Sequence, residues 1–456
     1  MFAKYFLLVG VPFISMTNPL VAQVEGFTPQ YPIQSSEEYR NANPYQQDFL
    51  YYCAALVDSR PNVYQEFPLD EFEKQKQLVL GQLSQCKSNE EFSSTLTKFI
   101  YPLKDSHTSI TGSSSSSSRS YPIRCKWFGD SLHIVTLTTQ VPQEFWGAVV
   151  ASVNHVPLPE IIKRASLRWR YENSVDEKIS IALNLSTTGF LKSLDVIQHD
   201  SDKIAIEMVD SRTLTLASNS NGEWNVKFIN HPVTERKFIN FEYEIIKDKN
   251  LCYLQFNNFV DKRVAKMYAD FLPFWKRQFA KTLLFLGLAP QGVNRYLDDF
   301  LNDMMAEIEE NKIENLVLDL RFNSGGSGTL NDPLLYALGV DAYRGFSSEK
   351  RESELYKMQL SSISSAETET DSVSVSVSTA SKDSVYRIRA NEVAEITKRF
   401  QGKVYCVIGD WTYSSANLFA TIVKDNKLFT GVGEPTKQKP SHFGEVLFLR
   451  LPNTLI

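Results

Sequence analysis

The chain has 456 residues, of which 43% are hydrophobic and 12% are aromatic. This length and composition predict two or three globular domains with a substantial buried core. The formal net charge of −5 argues against a nucleic-acid partner, because proteins that bind nucleic acid usually carry a strongly basic surface.

The first 22 residues have the pattern of a secretory signal peptide. Lys4 provides a short positive region, residues 5–16 are mostly apolar, and residues 18–22 form a plausible cleavage zone before Gln23. The apolar run is too short and too interrupted for a membrane span. We therefore expect an exported protein, periplasmic or extracellular, without a stable membrane-spanning segment.

Residues 23–112 are predicted to form an N-terminal helical region. Apolar residues recur at helical spacing in Asp48–Leu56, Leu69–Leu83 and Asn89–Leu103. Cys53 and Cys86 lie on neighbouring helical patterns and could form a disulfide in an oxidising compartment. The five cysteines include no CxxC motif or Cys/His cluster, so we expect neither a metal nor an organic cofactor.

Residues 113–245 are predicted to be rich in β-strands. Gly112 and six serines form a flexible connector into this region. Strand-like runs follow at Ile123–Phe128, Ser131–Leu137, Ala148–Val153, Lys203–Val209, Thr213–Ala217 and Trp224–Ile229. Residues 147–165 resemble the strand, turn and helix of a PDZ-like module, which would bind a peptide by adding it to a sheet edge. A β-rich spacer without a ligand is the alternative.

Residues 246–456 are predicted to form an α/β domain that opens with the strand Leu251–Phe256. Helical spacing in Tyr296–Glu310 leads to a buried strand, Leu316–Leu320. The turn at 323–326 contains two glycines, which let the backbone approach a ligand closely because glycine has no side chain. Two insertions, 261–292 and 347–383, carry little information, and the second is predicted to be a mobile loop.

A second element places a pair of serines at the start of a helix. Val404–Gly409 is predicted to be a buried strand, and helical spacing begins at Ala416. At such a strand-to-helix junction, the hydroxyl of Ser414 or Ser415 can project while N–H groups of the first helical turn point at the group under attack. The alternative is that Thr412, Ser414 or Ser415 only caps the helix. In a parallel sheet, this junction and the glycine turn would share the carboxyl edge.

Four short segments carry the strongest functional signal in the chain. They are LKDSHTSI (103–110), LVLDLRFNSGG (316–326), TYSSANLFA (412–420) and GVGEPTKQKP (431–440). In this order they resemble the tail-specific, or C-terminal-processing, serine protease family, which includes the core of tricorn protease. The resemblance implies a crotonase-like or ClpP-like spiral with a mixed sheet and flanking helices. It also implies hydrolysis of polypeptides.

The resemblance assigns roles to particular residues. Ser414 matches the nucleophile, which would form an acyl-enzyme. Backbone N–H groups of Gly325, Gly326 and Ser415 match the oxyanion hole, which stabilises the charge of the tetrahedral intermediate. In the tricorn-like branch a supporting glutamate lies well beyond the nucleophile, past the end of this chain. Either another carboxylate orients the base, or the catalytic domain is truncated at its C-terminus.

Two residues match the base of two family branches. Ser106-His107 matches the Ser-His pair of the tricorn-like branch, and a histidine with a pKa of about 6.5 needs little adjustment to act at neutral pH. Lys439 lies 25 residues after Ser414, the spacing of the serine–lysine branch. A lysine base must be neutral, which requires a lowered pKa. We favour His107; a loop-closing histidine and a solvated lysine are the structural alternatives, and His442 is assigned to substrate binding or structure.

The sequence therefore predicts an exported serine endopeptidase that acts on a polypeptide substrate and needs no cofactor. One alternative is a non-catalytic peptide- or ligand-binding protein that retains the protease fold. Another is a hydrolase of small esters that uses the same serine. Turnover of peptides, turnover of esters, or binding without turnover would distinguish the three. The oligomeric state is not predicted.

Overall fold

The structure is a computed structural model. It describes residues 26–110, 119–135, 141–169, 171–219, 239–270, 272, 274–287, 289, 293–346, 348, 351–364, 385–444 and 446–456. The predicted signal peptide, the serine-rich connector and the predicted strand Trp224–Ile229 lie outside these residues. Most of the predicted loop at 347–383 also lies outside them, although its described part includes a helix.

Helices and strands alternate in blocks along the described chain. The helices are α1 (Glu37–Asn41), α2 (Pro44–Ser59), α3 (Val63–Glu66), α4 (Leu69–Leu83), α5 (Asn89–Phe99), α6 (Leu158–Arg168), α7 (Ser174–Asn184), α8 (Thr188–Ser193), α9 (Lys262–Asp270), α10 (Phe274–Phe285), α11 (Leu297–Glu310), α12 (Asn331–Ala337), α13 (Glu354–Ser364) and α14 (Ser415–Asp425). The strands are β1 (Cys125–Phe128), β2 (Ser131–Ile134), β3 (Val150–Val153), β4 (Val156–Pro157), β5 (Ile204–Met208), β6 (Thr213–Leu216), β7 (Phe241–Ile246), β8 (Leu251–Phe256), β9 (Asn315–Asp319), β10 (Ala342–Arg344), β11 (Val385–Arg387), β12 (Lys403–Ile408) and β13 (Thr430–Gly433).

The described residues form two compact units, each with its own hydrophobic core. The first unit comprises the described parts of Met1–Val63, Lys237–Glu434 and Gly444–Leu455. The second comprises the described parts of Tyr64–Arg236 and the short segment Pro435–Phe443. The residues predicted as an N-terminal helical region therefore contribute helices to both units.

The first unit is built on a five-stranded mixed sheet in the order β13-β12-β9-β8-β7. The strands from β13 to β8 run parallel, and β7 is antiparallel to β8. The central strands β8 and β9 are mostly buried, as expected for parallel strands covered by helices on both faces. The predicted strands and the two predicted helices of this domain are found within one residue of their expected starts. The predicted mixed α/β sheet with flanking helices is confirmed.

The register of this sheet places the loops after β9 and β12 side by side. Lys403 pairs with Asn315 and Val407 pairs with Asp319, so β12 and β9 end at the same level. Beyond the strands, Leu320 N–H donates to the Val407 carbonyl at 2.8 Å. The loop that follows each strand therefore starts from the same carboxyl edge, where ligands bind in open parallel sheets.

The second unit combines the helices α4 and α5 with short antiparallel sheets. Strands β1 and β2 form a hairpin, and a four-stranded sheet has the order β4-β3-β5-β6. Along β5, buried and half-buried residues alternate, which is typical of a sheet with one face on the core. The predicted helices Leu69–Leu83 and Asn89–Leu103 are confirmed, although the second becomes a 3-10 turn after Phe99.

The described residues include all five cysteines, and none of these forms a disulfide in the structure. The possible Cys53–Cys86 bridge is therefore not formed. Across the described part of the chain, we find no helix that combines the length and apolar character needed to cross a bilayer.

Candidate active site

Ser414 occupies a strained turn between β12 and α14. Its backbone has φ 53° and ψ −123°, a conformation that residues with a side chain rarely adopt. Such strain persists only where the surrounding structure enforces it, and it is concentrated at functional sites. A sharp strand-to-helix turn of this kind presents a serine hydroxyl at the edge of a sheet.

The hydroxyls around Ser414 are not used to cap α14. Ser414 is the N-cap residue, but its side chain makes no capping hydrogen bond. The hydroxyl of Thr412 donates to the Leu320 carbonyl at 2.7 Å, and that of Ser415 donates to the Gly326 carbonyl at 2.8 Å. Thr412 and Ser415 thus attach the serine turn to the segment after β9. The capping alternative is not supported.

The glycine turn lies directly against Ser414. A Cβ added at Gly325 would stand 2.5 Å from the Ser414 Cβ and 2.9 Å from the Tyr413 carbonyl oxygen. Gly325 also has φ +99°, which favours glycine. A Cβ at Gly326, where φ is +137°, would meet the Phe259 carbonyl oxygen at 2.2 Å. Both glycines are required for this close approach of two backbones.

Asn323 fixes the shape of the glycine turn from within. This residue is fully buried, and its side-chain amide donates to the Phe256 carbonyl at 2.7 Å. Its side-chain oxygen accepts the Gly325 N–H at 2.9 Å, while the Asn323 carbonyl accepts the Tyr413 N–H at 2.9 Å. One buried residue therefore connects the end of β8 and the glycine turn through its side chain and the serine turn through its backbone carbonyl.

The second unit holds the candidate bases, of which His107 is the more buried. Its side chain is 10% exposed, and its Nδ1 lies 3.9 Å from Asp105 Oδ1 and 3.3 Å from Gln438 Nε2. The imidazole stacks on that of His442, with ring centroids 5.6 Å apart and planes 9° from parallel. Asp105 also accepts the backbone N–H of His107 at 3.0 Å. These contacts hold the ring in one orientation.

Burial lowers the pKa of His107 below its usual value of 6.5, because a protonated imidazole is poorly solvated there. The Asp105 carboxylate opposes this shift and raises the pKa. The nearby His442 lowers the pKa as a second potential cation, and Glu172 raises it. The net lowering keeps His107 neutral near pH 7, which is the form able to accept a proton.

Glu172 joins the two predicted base segments through hydrogen bonds. Its Oε1 accepts the Ser106 backbone N–H at 2.8 Å and also the Ser106 hydroxyl. Its Oε2 accepts the Lys439 backbone N–H at 3.0 Å. Glu172 is itself buried, and its own N–H donates to Asp176. Hydrogen bonds to a buried carboxylate are among the stronger ones in proteins, so Glu172 is well placed to fix both loops.

Lys439 has the surroundings of a charged surface lysine. Its Nζ lies 3.6 Å from Glu66 Oε1, and its side chain is 34% exposed. The Lys439 side chain is therefore in contact with solvent and a carboxylate and lacks the desolvated surroundings that a lysine base needs. The carbonyl of Lys439 also lies 3.2 Å from His442 Nδ1, within hydrogen-bonding distance. The backbone of Lys439 thus contacts Glu172 and His442, and this is the main role that the structure indicates for this residue.

Asp105, His107 and Glu172 could in principle hold a metal ion, since one ligand atom from each lies within 4.8 Å of the others. Both carboxylates already accept hydrogen bonds, however. Asp105 accepts from the His107 N–H and the Thr108 hydroxyl, and Glu172 accepts from Ser106 and Lys439. A metal would have to replace these donors, so the arrangement fits a hydrogen-bonded network better.

Three residues with a structural role beside the candidate nucleophile or the candidate bases were missed in the sequence analysis. Asp105 could have been found from its position, because Asp commonly accepts hydrogen bonds from residues two and three further on. Asn323 was noted only as part of a turn. An Asn side chain at the start of a turn can also accept a backbone N–H from two residues further on, as Asn323 does from Gly325. Glu172 carries no local signal, since its partners lie 66 and 267 residues away in the sequence.

Comparison with known proteins supports the class of protein predicted from the sequence, a serine peptidase. Residues 291–447 match peptidase family S41. Mature CPAF complexed with lactacystin is similar to this chain, with a TM-score of 0.54 and 14% identity over 92% of this chain and 88% of that one. A second structure of mature CPAF has a TM-score of 0.54 and 13% identity over 92% and 87%. The photosystem II D1 C-terminal processing protease has a TM-score of 0.35 at 12% identity, over 87% and 82%. No curated protein gave a significant match.

At these identities, the CPAF structures show a shared fold only, and the TM-score of the D1 processing protease is too low to add to it. Residues 291–447 match peptidase family S41, and the predicted resemblance to the tail-specific serine proteases is confirmed. The family supports a serine-type peptidase, which is a hydrolase.

Proposed function

We propose that this protein is an exported serine endopeptidase that cleaves polypeptides through an acyl-enzyme on Ser414. The observation that carries the proposal is the strained Ser414 turn, held against the Gly325–Gly326 backbone. A turn used only to start a helix would not require this strain or the glycine contact. The S41 match supports a peptidase over the non-catalytic binding protein. Export is supported by the pattern of residues 1–22.

The proposed base is His107. In this proposal the buried imidazole, held by Asp105 and neutral near pH 7, would accept the Ser414 proton. Lys439 is the less favoured candidate, because its ammonium group is partly exposed and lies beside Glu66. Ser106 would act through its hydrogen bonds to Glu172, which fix the loop that carries His107.

The proposed oxyanion hole uses backbone N–H groups of the glycine turn and of Ser415. Within the glycine turn, the Gly325 N–H already donates to Asn323. We therefore propose the Gly326 N–H and the Ser415 N–H as the two donors, with Gly325 providing the close approach. Ser415 is the first residue of α14, where N–H groups lack partners inside the helix and carry partial positive charge.

The proposed reaction has two stages. The Ser414 hydroxyl oxygen attacks the carbonyl carbon of the peptide bond while His107 takes its proton. The tetrahedral intermediate then collapses as His107 returns that proton to the departing amine. In the second stage, water attacks the acyl-enzyme, His107 accepts a proton from the water, and Ser414 leaves with that proton. No metal or organic group takes part in this scheme.

We propose Glu172 as the positioning carboxylate that the sequence analysis left unassigned. It accepts hydrogen bonds from Ser106 and Lys439 and raises the pKa of His107. It would orient the base without touching the substrate. This role is supported by its burial and by the two loops that it joins.

The finer fold predictions remain part of the proposal. The segment 147–165 forms β3, β4 and α6, which is the strand, turn and helix order expected of a PDZ-like module. We propose that the four-stranded sheet binds peptides as such a module. We also propose that the first unit has the spiral arrangement of the family.

The proposal is tested with a fluorophosphonate serine probe and peptide mass spectrometry. We expect one adduct on Ser414, absent in Ser414→Ala and retained in the neighbouring control Ser324→Ala. Digestion of an unfolded polypeptide should be lost in the same variant. If folded protein gave no adduct and bound peptides without cleaving them, the binding-protein alternative would replace this proposal. Turnover of esters without peptide cleavage would favour the esterase alternative.

A further inference from the structure

Helix α10 carries three aromatic side chains that are exposed to solvent. Trp275 is 68% exposed, Phe279 48% and Phe285 85%, and Leu286 immediately after the helix is 57% exposed. Trp275 and Phe279, four residues apart, share one face of the helix with the exposed Gln278 and Thr282, while Phe285 and Leu286 lie at its C-terminal end. A helix at the surface of a soluble domain normally presents the opposite pattern. Exposed apolar patches of this kind mark interaction sites.

The same two-helix segment is the most basic part of an acidic chain. Residues 262–286 contain six basic residues and one acidic residue, Asp270, in a chain of formal net charge −5. The basic residues are Lys262, Arg263, Lys266, Lys276, Arg277 and Lys281. Two of them form ion pairs, Lys281 with Asp270 and Arg263 with Asp298. Four further cations give the segment its positive charge.

The basic and aromatic residues alternate along α10. Lys276 and Arg277 directly follow Trp275, and the Lys276 ammonium lies 5.3 Å from the centre of the Trp275 ring. Long basic side chains can extend beside an apolar stripe and keep their charge at a polar surface. Aromatic rings with basic flanks are typical of helices that lie in the interface of a bilayer.

We propose that α10 lies on the surface of an anionic lipid bilayer, with Trp275, Phe279 and Phe285 in the headgroup region. The positive charge of α9 and α10 is complementary to anionic lipids, and the exposed rings supply apolar area that inserts between headgroups. At twelve residues, α10 is too short to cross the membrane and would lie along it. The peptidase would thereby act on polypeptides at a membrane surface.

A second copy of this chain is a less suitable occupant of the face. In a two-fold dimer, each α10 would meet the same surface of its partner, so that Lys276 and Arg277 would approach like charges. Like charges brought together in an interface oppose association. The positive charge of α9 and α10 therefore favours binding to an anionic lipid surface over association with a second copy of the chain.

The test measures co-sedimentation of the full chain with vesicles of phosphatidylcholine alone and of equal parts phosphatidylcholine and phosphatidylglycerol. We expect binding to the anionic vesicles that weakens as salt is added. The double variant Lys266→Gln with Lys276→Gln should bind about thirtyfold more weakly, since each cation contributes to attraction by an anionic surface. The double variant Trp275→Ser with Phe279→Ser should also lose binding.

Two matched control variants show whether loss of vesicle binding is specific to α9 and α10. Lys247→Gln with Lys249→Gln removes two exposed cations elsewhere, and Phe128→Ser removes an aromatic ring that is 53% exposed. Both controls should bind like the unchanged chain. Every protein in the set keeps residues 1–22, so binding through that apolar run would persist in the α10 variants and overturn the proposal. Absence of binding to anionic vesicles would also overturn it, as would a dimer that the α10 variants dissociate.

Discussion

The surroundings of His107 determine the pH at which the proposed peptidase loses activity. A general base must be neutral, and burial lowers the pKa of His107 below 6.5. The acidic limb of the kcat/KM profile should therefore lie below pH 6.5, and activity should persist in mildly acidic solution. The measurement is the pH profile of peptide cleavage, with the exposed His199→Gln variant as a control that leaves it unchanged. An acidic limb well above pH 6.5 would exclude His107 as the base.

Two substitutions around His107 should move this limb in opposite directions. The Asp105 carboxylate raises the pKa of His107, so Asp105→Asn should lower the pKa further and extend activity to lower pH. His442 lowers the pKa, so His442→Phe, which keeps a stacking ring, should move the limb to higher pH. Profiles of both variants test the assignment. If Lys439 were the base, neither variant would produce this pair of shifts.

Glu172 should matter through the position and the pKa of His107. Glu172→Gln keeps the size of the side chain but replaces one acceptor with an amide that faces a donor, either Ser106 or Lys439. We expect kcat/KM to fall by about tenfold to a hundredfold, the scale of hydrogen bonds to a charged group. The acidic limb should also move to lower pH, because Glu172 raises the pKa of His107. A purely structural role would lower the thermal midpoint and leave the limb in place.

The control for this experiment is Glu160→Gln. Glu160 is a partly exposed glutamate paired with Arg164 in α6, and ion pairs in contact with solvent contribute little. The Glu160→Gln substitution should change neither kcat/KM nor the pH at which the acidic limb lies. Equal losses in the two variants would mean that Glu172 has no specific role.

At the scale of elements, the contact between the glycine turn and the serine turn is the feature most sensitive to substitution. An added Cβ in Gly325→Ala would lie 2.5 Å from the Ser414 Cβ, and φ +99° would strain it further. We expect activity and fluorophosphonate labelling to fall by about a hundredfold or more, comparable to loss of an oxyanion donor. Gly328→Ala is the control in the same loop, because its nearest neighbour would be the Ser415 hydroxyl oxygen at 4.0 Å. Full labelling of Gly325→Ala would contradict the close approach.

Sequence periodicity predicted these elements well, because buried parallel strands and amphipathic helices leave strong patterns. The strand before Asn323 and the strand before Ser414 were found within one residue. The backbone strain at Ser414 could not be predicted, since it depends on how two separate loops meet, whereas the Gly325 N–H bond to Asn323 is a local turn pattern that the sequence could have indicated. Glu172 was missed for the same reason, because its role arises only when the chain brings Ser106 and Lys439 to one carboxylate.

At the scale of the whole molecule, four of the five thiols lie in surroundings that raise their pKa. Burial raises the pKa of Cys125, Cys252 and Cys406 to about 12. Partial burial also raises the pKa of Cys86, which donates to the Ser88 carbonyl. The thiolate is the form that reacts in disulfide exchange, so a raised pKa slows oxidation. An export route through an oxidising compartment would therefore leave these thiols largely unchanged.

We accordingly expect five titratable thiols in the denatured, unreduced protein and the same thermal midpoint with and without dithiothreitol. A native disulfide contributes about 2–4 kcal/mol, which would appear as a shift of the midpoint on reduction. Cys86→Ser should be nearly neutral, because serine can also donate to the Ser88 carbonyl. Three thiols and a midpoint that falls with reductant would instead show that two cysteines pair after synthesis. Restoration of four free thiols and loss of the reductant effect in Cys86→Ser would identify Cys86 as one of the pair.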